Sequence, residues 1–169
     1  MMVFLKAKHR KAKACKFQYQ LGTVTAVLLG VTMLEPAPAG AQNNRNSCTI
    51  IVDNTPGVLR QNADTSILSS KHAGGQPARA VIVATNSRFR ASIDSPSGFS
   101  VFPNNGNQNT EFSSTFSSRG ATKFLSVSDD VERRIKRGRS RIRIDMTARR
   151  LNGSFPSGNY QATVTLRCE

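Results

Sequence analysis

The end of the chain alternates strictly between apolar and polar side chains. Tyr160, Ala162, Val164, Leu166 and Cys168 share one parity, and the residues between them are polar. A period of two is typical of a β-strand with one buried and one solvated face. Residues 48–53 alternate in the same way, so the first and last predicted strands each turn a cysteine toward the buried side.

The pattern between these two segments also favours strands. Residues 80–85 are predicted to form a central strand buried on both faces. Residues 88–94 are predicted to form a strand with Phe89, Ala91 and Ile93 inward, after a turn at Asn86-Ser87. Shorter apolar groups near residues 67–68, 99–101, 112–116 and 124–127 indicate further strands, and Gly/Pro-rich clusters separate them. The sequence therefore predicts an all-β domain, an immunoglobulin-like antiparallel β-sandwich of about seven or eight strands.

The first 41 residues have the pattern of a cleaved signal peptide. Residues 1–20 contain six basic residues and no acid, residues 21–34 are an apolar run of 14, and Ala39 and Ala41 form an A-x-A cleavage site. An apolar run of this length is shorter than the roughly 20 residues of a membrane-spanning helix, so a retained anchor is the weaker alternative. We expect residues 1–41 to be removed and residues 42–169 to form one domain without a transmembrane segment. It would lie in the periplasm, at the cell surface or outside the cell.

Cysteine placement predicts one disulfide bond. Cys15 belongs to the predicted leader, which leaves Cys48 and Cys168 at opposite ends of the mature chain. Two thiols in an oxidising compartment favour a structural bridge. Because the bridge would join the start of the first strand to the end of the last, these strands are predicted to be antiparallel neighbours.

Positive charge is concentrated in one segment. The chain carries a formal net charge of +14, and residues 133–150 hold nine basic residues against the single acid Asp145. One interpretation is a solvated strand face that discourages edge-to-edge aggregation, balanced by Asp129, Asp130 and Glu132 across a hairpin. The other is a surface for anionic polymers, since guanidinium groups bind carboxylates, sulfates and phosphates bidentately. The candidate anion-binding residues are Arg133, Arg134, Lys136, Arg137, Arg139, Arg141, Arg143 and Arg149.

The sequence offers little for catalysis. His72 is the one histidine after the predicted leader, and it lies in a predicted loop. The adjacent Asp129 and Asp130 would point to opposite sides of a strand, and no glycine-rich phosphate motif is present. We therefore expect no catalytic residue, no bound metal and no cofactor.

The C-terminal run Phe155-Pro156-Ser157-Gly158-Asn159-Tyr160, with the Thr/Val-rich strand after it, carries a family resemblance. It resembles the final strand of bacterial pilin-like and spore coat protein U-like secreted sandwiches, where Gly-x-Tyr opens the terminal strand. The resemblance implies an immunoglobulin-like exported subunit that works by assembly or adhesion. Its partners would be proteins at the cell surface or further copies of itself.

The chain also departs from that family pattern. Residues 42–47 are polar and contain no alternating apolar donor strand. A bridge between the two ends of the domain would close it on itself, which predicts a self-contained domain rather than a donor-strand polymer. The predicted function is a non-enzymatic, structural or adhesive domain of the cell envelope. The alternative is an exported binder of lipopolysaccharide, acidic polysaccharide or nucleic acid through residues 133–150.

Overall fold

A computed structural model describes residues 2–9 and 46–169. These residues form strands, turns and irregular segments without a helix, which confirms the predicted all-β class. Accordingly, no helix within the described ranges is long and apolar enough to cross a membrane. In chain order the strands are β1 (Met2–His9), β2 (Cys48–Val52), β3 (Gly57–Val58), β4 (Arg60–Gln61), β5 (Ile67–Ser69), β6 (Ala78–Ala84), β7 (Arg90–Asp94), β8 (Thr110–Gly120), β9 (Phe124–Ser128), β10 (Arg133–Arg134), β11 (Gly138–Arg150) and β12 (Gln161–Cys168).

The strands form two sheets. The first sheet has the order β10-β7-β12-β1-β3, and its pairings are antiparallel except that between β1 and β12, which is parallel. In the second sheet the long strand β11 is interior. β8 pairs along one edge of β11 and β9 follows beyond it, while β6 and then β5 pair along the other edge. β2 extends the sheet from β6, and β4 extends it from β5.

Both sheets contribute to one buried core, and the predicted parities are largely confirmed. The apolar parity of β11 is buried from Ile142 to Ala148, and the apolar parity of β12 is buried from Ala162 to Cys168. Four rings (Phe99, Phe112, Phe155 and Tyr160) pack edge to face as part of this core.

The prediction that the strand at residues 80–85 is buried on both faces was wrong. Ala80 and Ile82 are buried, whereas Val81 and Val83 on the other parity are only half-buried and Arg79 is exposed. This strand, β6, lies in the second sheet and the next strand, β7, lies in the first. The predicted turn at Asn86-Ser87 therefore belongs to a connection that crosses between the sheets and does not close a hairpin.

The Cys48–Cys168 disulfide bond is present, with the two Cα atoms 6.1 Å apart. However, the predicted antiparallel pairing of the two strands that carry it was wrong. β2 pairs with β6 in the second sheet, whereas β12 pairs with β7 and β1 in the first. Alternation had indicated only that both cysteines face the interior, and residues that face the interior from opposite sheets can also meet. The bridge therefore joins the two sheets through the core.

Strand β1 comes from the predicted signal peptide. Met2–His9 pairs in parallel with all eight residues of β12, from Met2 opposite Gln161 to His9 opposite Cys168. Its other edge contacts β3 through Met2 and Val3. The apolar run at residues 21–34 and the cleavage site after Ala41 lie outside the described residues, so the predicted leader remains a prediction.

Candidate functional site

The exposed parity of β11 carries four of the candidate arginines, and three of them occupy successive outward positions in its first half. Arg139, Arg141 and Arg143 are exposed, and the residues between them, Ser140 and Ile142, are buried. Alternation along a strand explains this arrangement, because successive side chains point to opposite faces of the sheet. The sequence correctly predicted which side of this strand is solvated.

The register of the second sheet adds two arginines that are distant from residues 133–150 in sequence. Arg119 of β8 lies directly opposite Arg141, and Arg79 of β6 lies directly opposite Arg143. Directly opposed residues have Cβ atoms about 5 Å apart. We call the resulting cluster the arginine face; it consists of Arg79, Arg119, Arg139, Arg141 and Arg143.

Few acidic groups balance the arginine face. Arg143 Nε donates to Asp145 Oδ2 at 3.2 Å. Within the described ranges, no carboxylate forms an ion pair with the other four arginines of the face. Like charges directly opposite each other on neighbouring strands are destabilising. The opposed arginines are therefore expected to lower the free energy of unfolding of the free protein.

The structure contradicts the interpretation of these arginines as edge protection. β11 is an interior strand with partners on both edges, so it offers no free edge on which another chain could aggregate. The predicted acidic partners are also elsewhere. Asp129 and Asp130 follow β9, which pairs with β8 and not with β11, and Glu132 lies 3.6 Å from Arg90.

The other five candidate residues are not part of the arginine face. Arg133 and Arg134 form β10 at the edge of the first sheet, where Arg134 Nε donates to the carbonyl oxygen of Ser87 at 2.7 Å. Lys136 and Arg137 are exposed in the connection that leads to β11. Arg149 lies near the far end of β11, directly opposite Glu111. The basic run at residues 133–150 is thus divided among four places, of which the arginine face is one.

Apolar side chains flank the arginine face on both sides. Val81 lies between Arg141 and Ile51 in the cross-strand register, and Ile51 is 50% exposed. On the opposite side Leu125 of β9 is 88% exposed. An open depression of about 440 Å³ lies there, lined by Ser118, Arg119, Lys123, Phe124 and Leu125. Cationic and apolar groups therefore share one outer surface of the second sheet.

The position held by β1 is a second candidate site. Leu5 is half-buried and packs against the core. A small cavity of about 90 Å³ lies beside it, bounded by Val52, Ala78 and the connection from Asp53 to Pro56. The first sheet therefore contains a place for an extended strand next to β12, with room for an apolar side chain.

His72, the candidate base in the sequence, lies against a backbone carbonyl group. His72 Nδ1 lies 3.0 Å from the carbonyl oxygen of Arg60. Among residues 2–9 and 46–169, no group of three or more His, Cys, Asp or Glu side chains could hold a metal ion.

Tyr160 has a shifted pKa. Burial raises the pKa of Tyr160 above its usual value, although Arg150 acts in the opposite direction. The hydroxyl of Tyr160 donates to the carbonyl oxygen of Pro156.

No protein-family model, curated protein or solved structure matches this chain. Two features of the fold therefore stand out as candidate binding sites. One is the strand position beside β12, and the other is the arginine face of the second sheet.

Proposed function

We propose that the protein is an exported, non-enzymatic subunit of the cell envelope or cell surface, built on an immunoglobulin-like sandwich, and that it works by assembly. The position between β12 and β3 would accept an extended strand from another protein chain. One observation carries this proposal: the strand at that position, Met2–His9, belongs to the segment predicted to be removed on export.

Removal of Met2–His9 would leave a full strand edge without partners. β12 pairs with β7 on one side and with β1 on the other, and the pairing with β1 extends over eight residues. Unpaired backbone N–H and C=O groups on a strand edge are a template for pairing with another chain. The backbone of β12 therefore supports strand addition from outside.

Side-chain packing supports the same function. Val164 and Leu166 of β12 are fully buried, and Leu5 packs against the core that they help to form. Loss of Leu5 would expose part of this core to water. This exposure costs roughly 25 cal/mol of free energy for each Å² of apolar surface. A replacement strand would need apolar side chains at alternate positions, which is the usual requirement of β-strand addition.

The mature N-terminus is a poor replacement for β1. Residues 42–47 are polar, and Ser47 exchanges hydrogen bonds with Thr85 at the start of the second sheet. The occupant would therefore come from a different chain. The disulfide bond does not block the position, because β1 pairs with the whole of β12, including Cys168, while the bridge is closed. Because residues 42–47 provide no donor strand for a further copy either, the protein would accept a strand from a different protein and would not form a donor-strand polymer, although residues 155–166 resemble those of pilin-like and coat-like subunits.

The proposal is tested on the exported protein after intact mass has established where it begins. We expect a synthetic peptide with the sequence of residues 2–9 to bind, to raise the thermal midpoint and to slow hydrogen exchange at amides of β12. The matched control is the same peptide with Leu5→Asp, which should bind at least tenfold more weakly because it would place a charge against the apolar core.

Two outcomes would contradict the proposal. The first is an exported protein that retains residues 1–41. The second is a leader-free monomer in which the amides of β12 are fully protected from exchange without any added peptide, since its edge would then already be covered.

A further inference from the structure

We propose that the outer surface of the second sheet docks onto an anionic lipid membrane. The arginine face would bind lipid phosphates, and Ile51 and Leu125 would enter the interfacial region on either side. This is a second interaction, distinct from strand addition at β12, and it lies on the other sheet of the domain.

The charge pattern is the first argument. Arg119 and Arg141 oppose each other, as do Arg79 and Arg143, although opposed like charges cost stability. The repulsion within such a pair is offset when an anionic group lies between the two side chains, because each guanidinium donates bidentately to phosphate. Successive exposed arginines on β11 are about 6.8 Å apart along the strand, so several phosphates can be bound at once.

The shape of the surface is the second argument. The arginines project from three neighbouring strands, β6, β11 and β8, and the depression beside Arg119 is open rather than enclosed. A pocket for a small anion would instead surround its ligand. An array spread over an open sheet surface fits a partner that is itself extended, such as the phosphate layer of a membrane.

The apolar flanks favour a membrane over a soluble polyanion. Leu125, 88% exposed, shares a depression with Arg119 and Lys123, and Ile51, 50% exposed, lies on the opposite side of the arginines. An acidic polysaccharide offers nothing apolar to these side chains. Binding to single-stranded nucleic acid uses stacking aromatic rings, whereas Phe116 is buried and Phe124 packs edge to face against it. A membrane interface accepts cationic and aliphatic groups together.

The experiment uses the exported protein, once intact mass has established where it begins. It measures flotation with phosphatidylcholine vesicles that contain or lack phosphatidylglycerol, and retention on heparin resin. We expect binding to the anionic vesicles alone. Replacement of Arg119, Arg141 and Arg143 by Gln should weaken vesicle binding about 100-fold, since each cation near an anionic leaflet contributes about a factor of five. The substitutions are Arg119→Gln, Arg141→Gln and Arg143→Gln, and Arg141→Gln alone serves as the milder variant.

A matched control removes the same charge elsewhere. Arg88→Gln, Arg133→Gln and Lys136→Gln alter exposed side chains outside the arginine face, and this variant should float nearly as well as wild type. Equal losses in the two triple variants would overturn the proposal, because net charge alone would then explain binding.

A second pair of variants separates a membrane from a soluble polyanion. Ile51→Ser with Leu125→Ser should weaken vesicle binding about tenfold through lost apolar contact while leaving heparin retention unchanged. If this double variant floats as well as wild type, or if the protein binds heparin but no vesicle, the surface binds acidic polymers and the membrane proposal is wrong. Neither result depends on whether a strand is added at β12.

Discussion

Arg141 of β11 lies directly opposite Arg119 of β8 in the antiparallel register of the second sheet. The repulsion between them predicts that Arg119→Thr stabilises the free protein by about 0.5 kcal/mol. Urea unfolding measures the change, and the gain should diminish in high salt because exposed charges are screened.

The same pair allows a sharper test by a double-mutant cycle. If the two arginines repel, Arg141→Thr should be less stabilising once Arg119 has been replaced. Ser117→Thr is a matched control, since it introduces the same β-branched residue at the same parity of β8. A gain from Ser117→Thr equal to that from Arg119→Thr would show that strand propensity, not charge, causes the effect.

The disulfide bond is expected to contribute strongly to stability. Its two cysteines are 120 residues apart in sequence. The chain-entropy account assigns a closed loop of such length about 4 to 5 kcal/mol. Cys168→Ser should therefore lower the free energy of unfolding by several kcal/mol and leave Cys48 as a free thiol.

The bridge itself is tested on the wild type. Thiol titration of the denatured, unreduced protein should find neither Cys48 nor Cys168 reactive. Reaction of both cysteines would exclude the bridge.

The sequence predicted strand parities well and strand partners poorly. The alternation of residues 160–168 identified the buried side of β12, because parity is a local property of one strand. It did not show that β2 and β12 belong to different sheets, since two inward-facing cysteines are compatible with either arrangement. Partners depend on tertiary packing, which alternation does not encode.

The arginine face was likewise predictable within one strand but not across strands. Arg139, Arg141 and Arg143 were recognisable because they alternate with apolar residues along one strand. Arg79 and Arg119 are separated from them in sequence and join the face only through the registers of β6 and β8 with β11. Isolated arginines in separate strands give no local signal of a common cluster.

A buried hydroxyl in β8 offers a way to stabilise the core. Ser114 is 1% exposed, and in the described part of the chain its Oγ has no hydrogen-bond partner. Burial of an unsatisfied hydroxyl costs about 1 to 3 kcal/mol, so Ser114→Ala should raise the free energy of unfolding by about 1 kcal/mol. The matched control is Ser140→Ala, because Ser140 is also buried but its Oγ accepts a hydrogen bond from Thr122 N at 3.1 Å. That control should lower stability, and stabilisation by both changes would show that the hydroxyl partners are irrelevant.

Tyr160 is expected to make the stability of the fold fall at alkaline pH. Its phenol is buried, which raises its pKa above the ordinary value of 10.0, with Arg150 acting in the opposite direction. Above pH 10 the unfolded chain therefore loses the phenol proton before the folded chain does. The unfolded state then binds fewer protons, so stability falls as the pH rises from about 10 through the folded pKa, by at most about 1.4 kcal/mol per pH unit. Below pH 10 this contribution is fully present.

Tyr160→Phe separates this effect from other alkaline titrations. The variant loses the hydrogen bond from the hydroxyl to the carbonyl oxygen of Pro156, 2.7 Å long in the wild type. It should be less stable by about 1 kcal/mol at neutral pH, but its stability should decline less steeply above pH 10. Urea unfolding of both proteins between pH 8 and about 11.5 gives the difference in slope. Because the other tyrosine, Tyr19, belongs to the predicted leader, phenolate absorbance of a leader-free protein would report Tyr160 alone. Parallel stability curves for the two proteins across this pH range would show that the phenol has the same pKa in the folded and unfolded states.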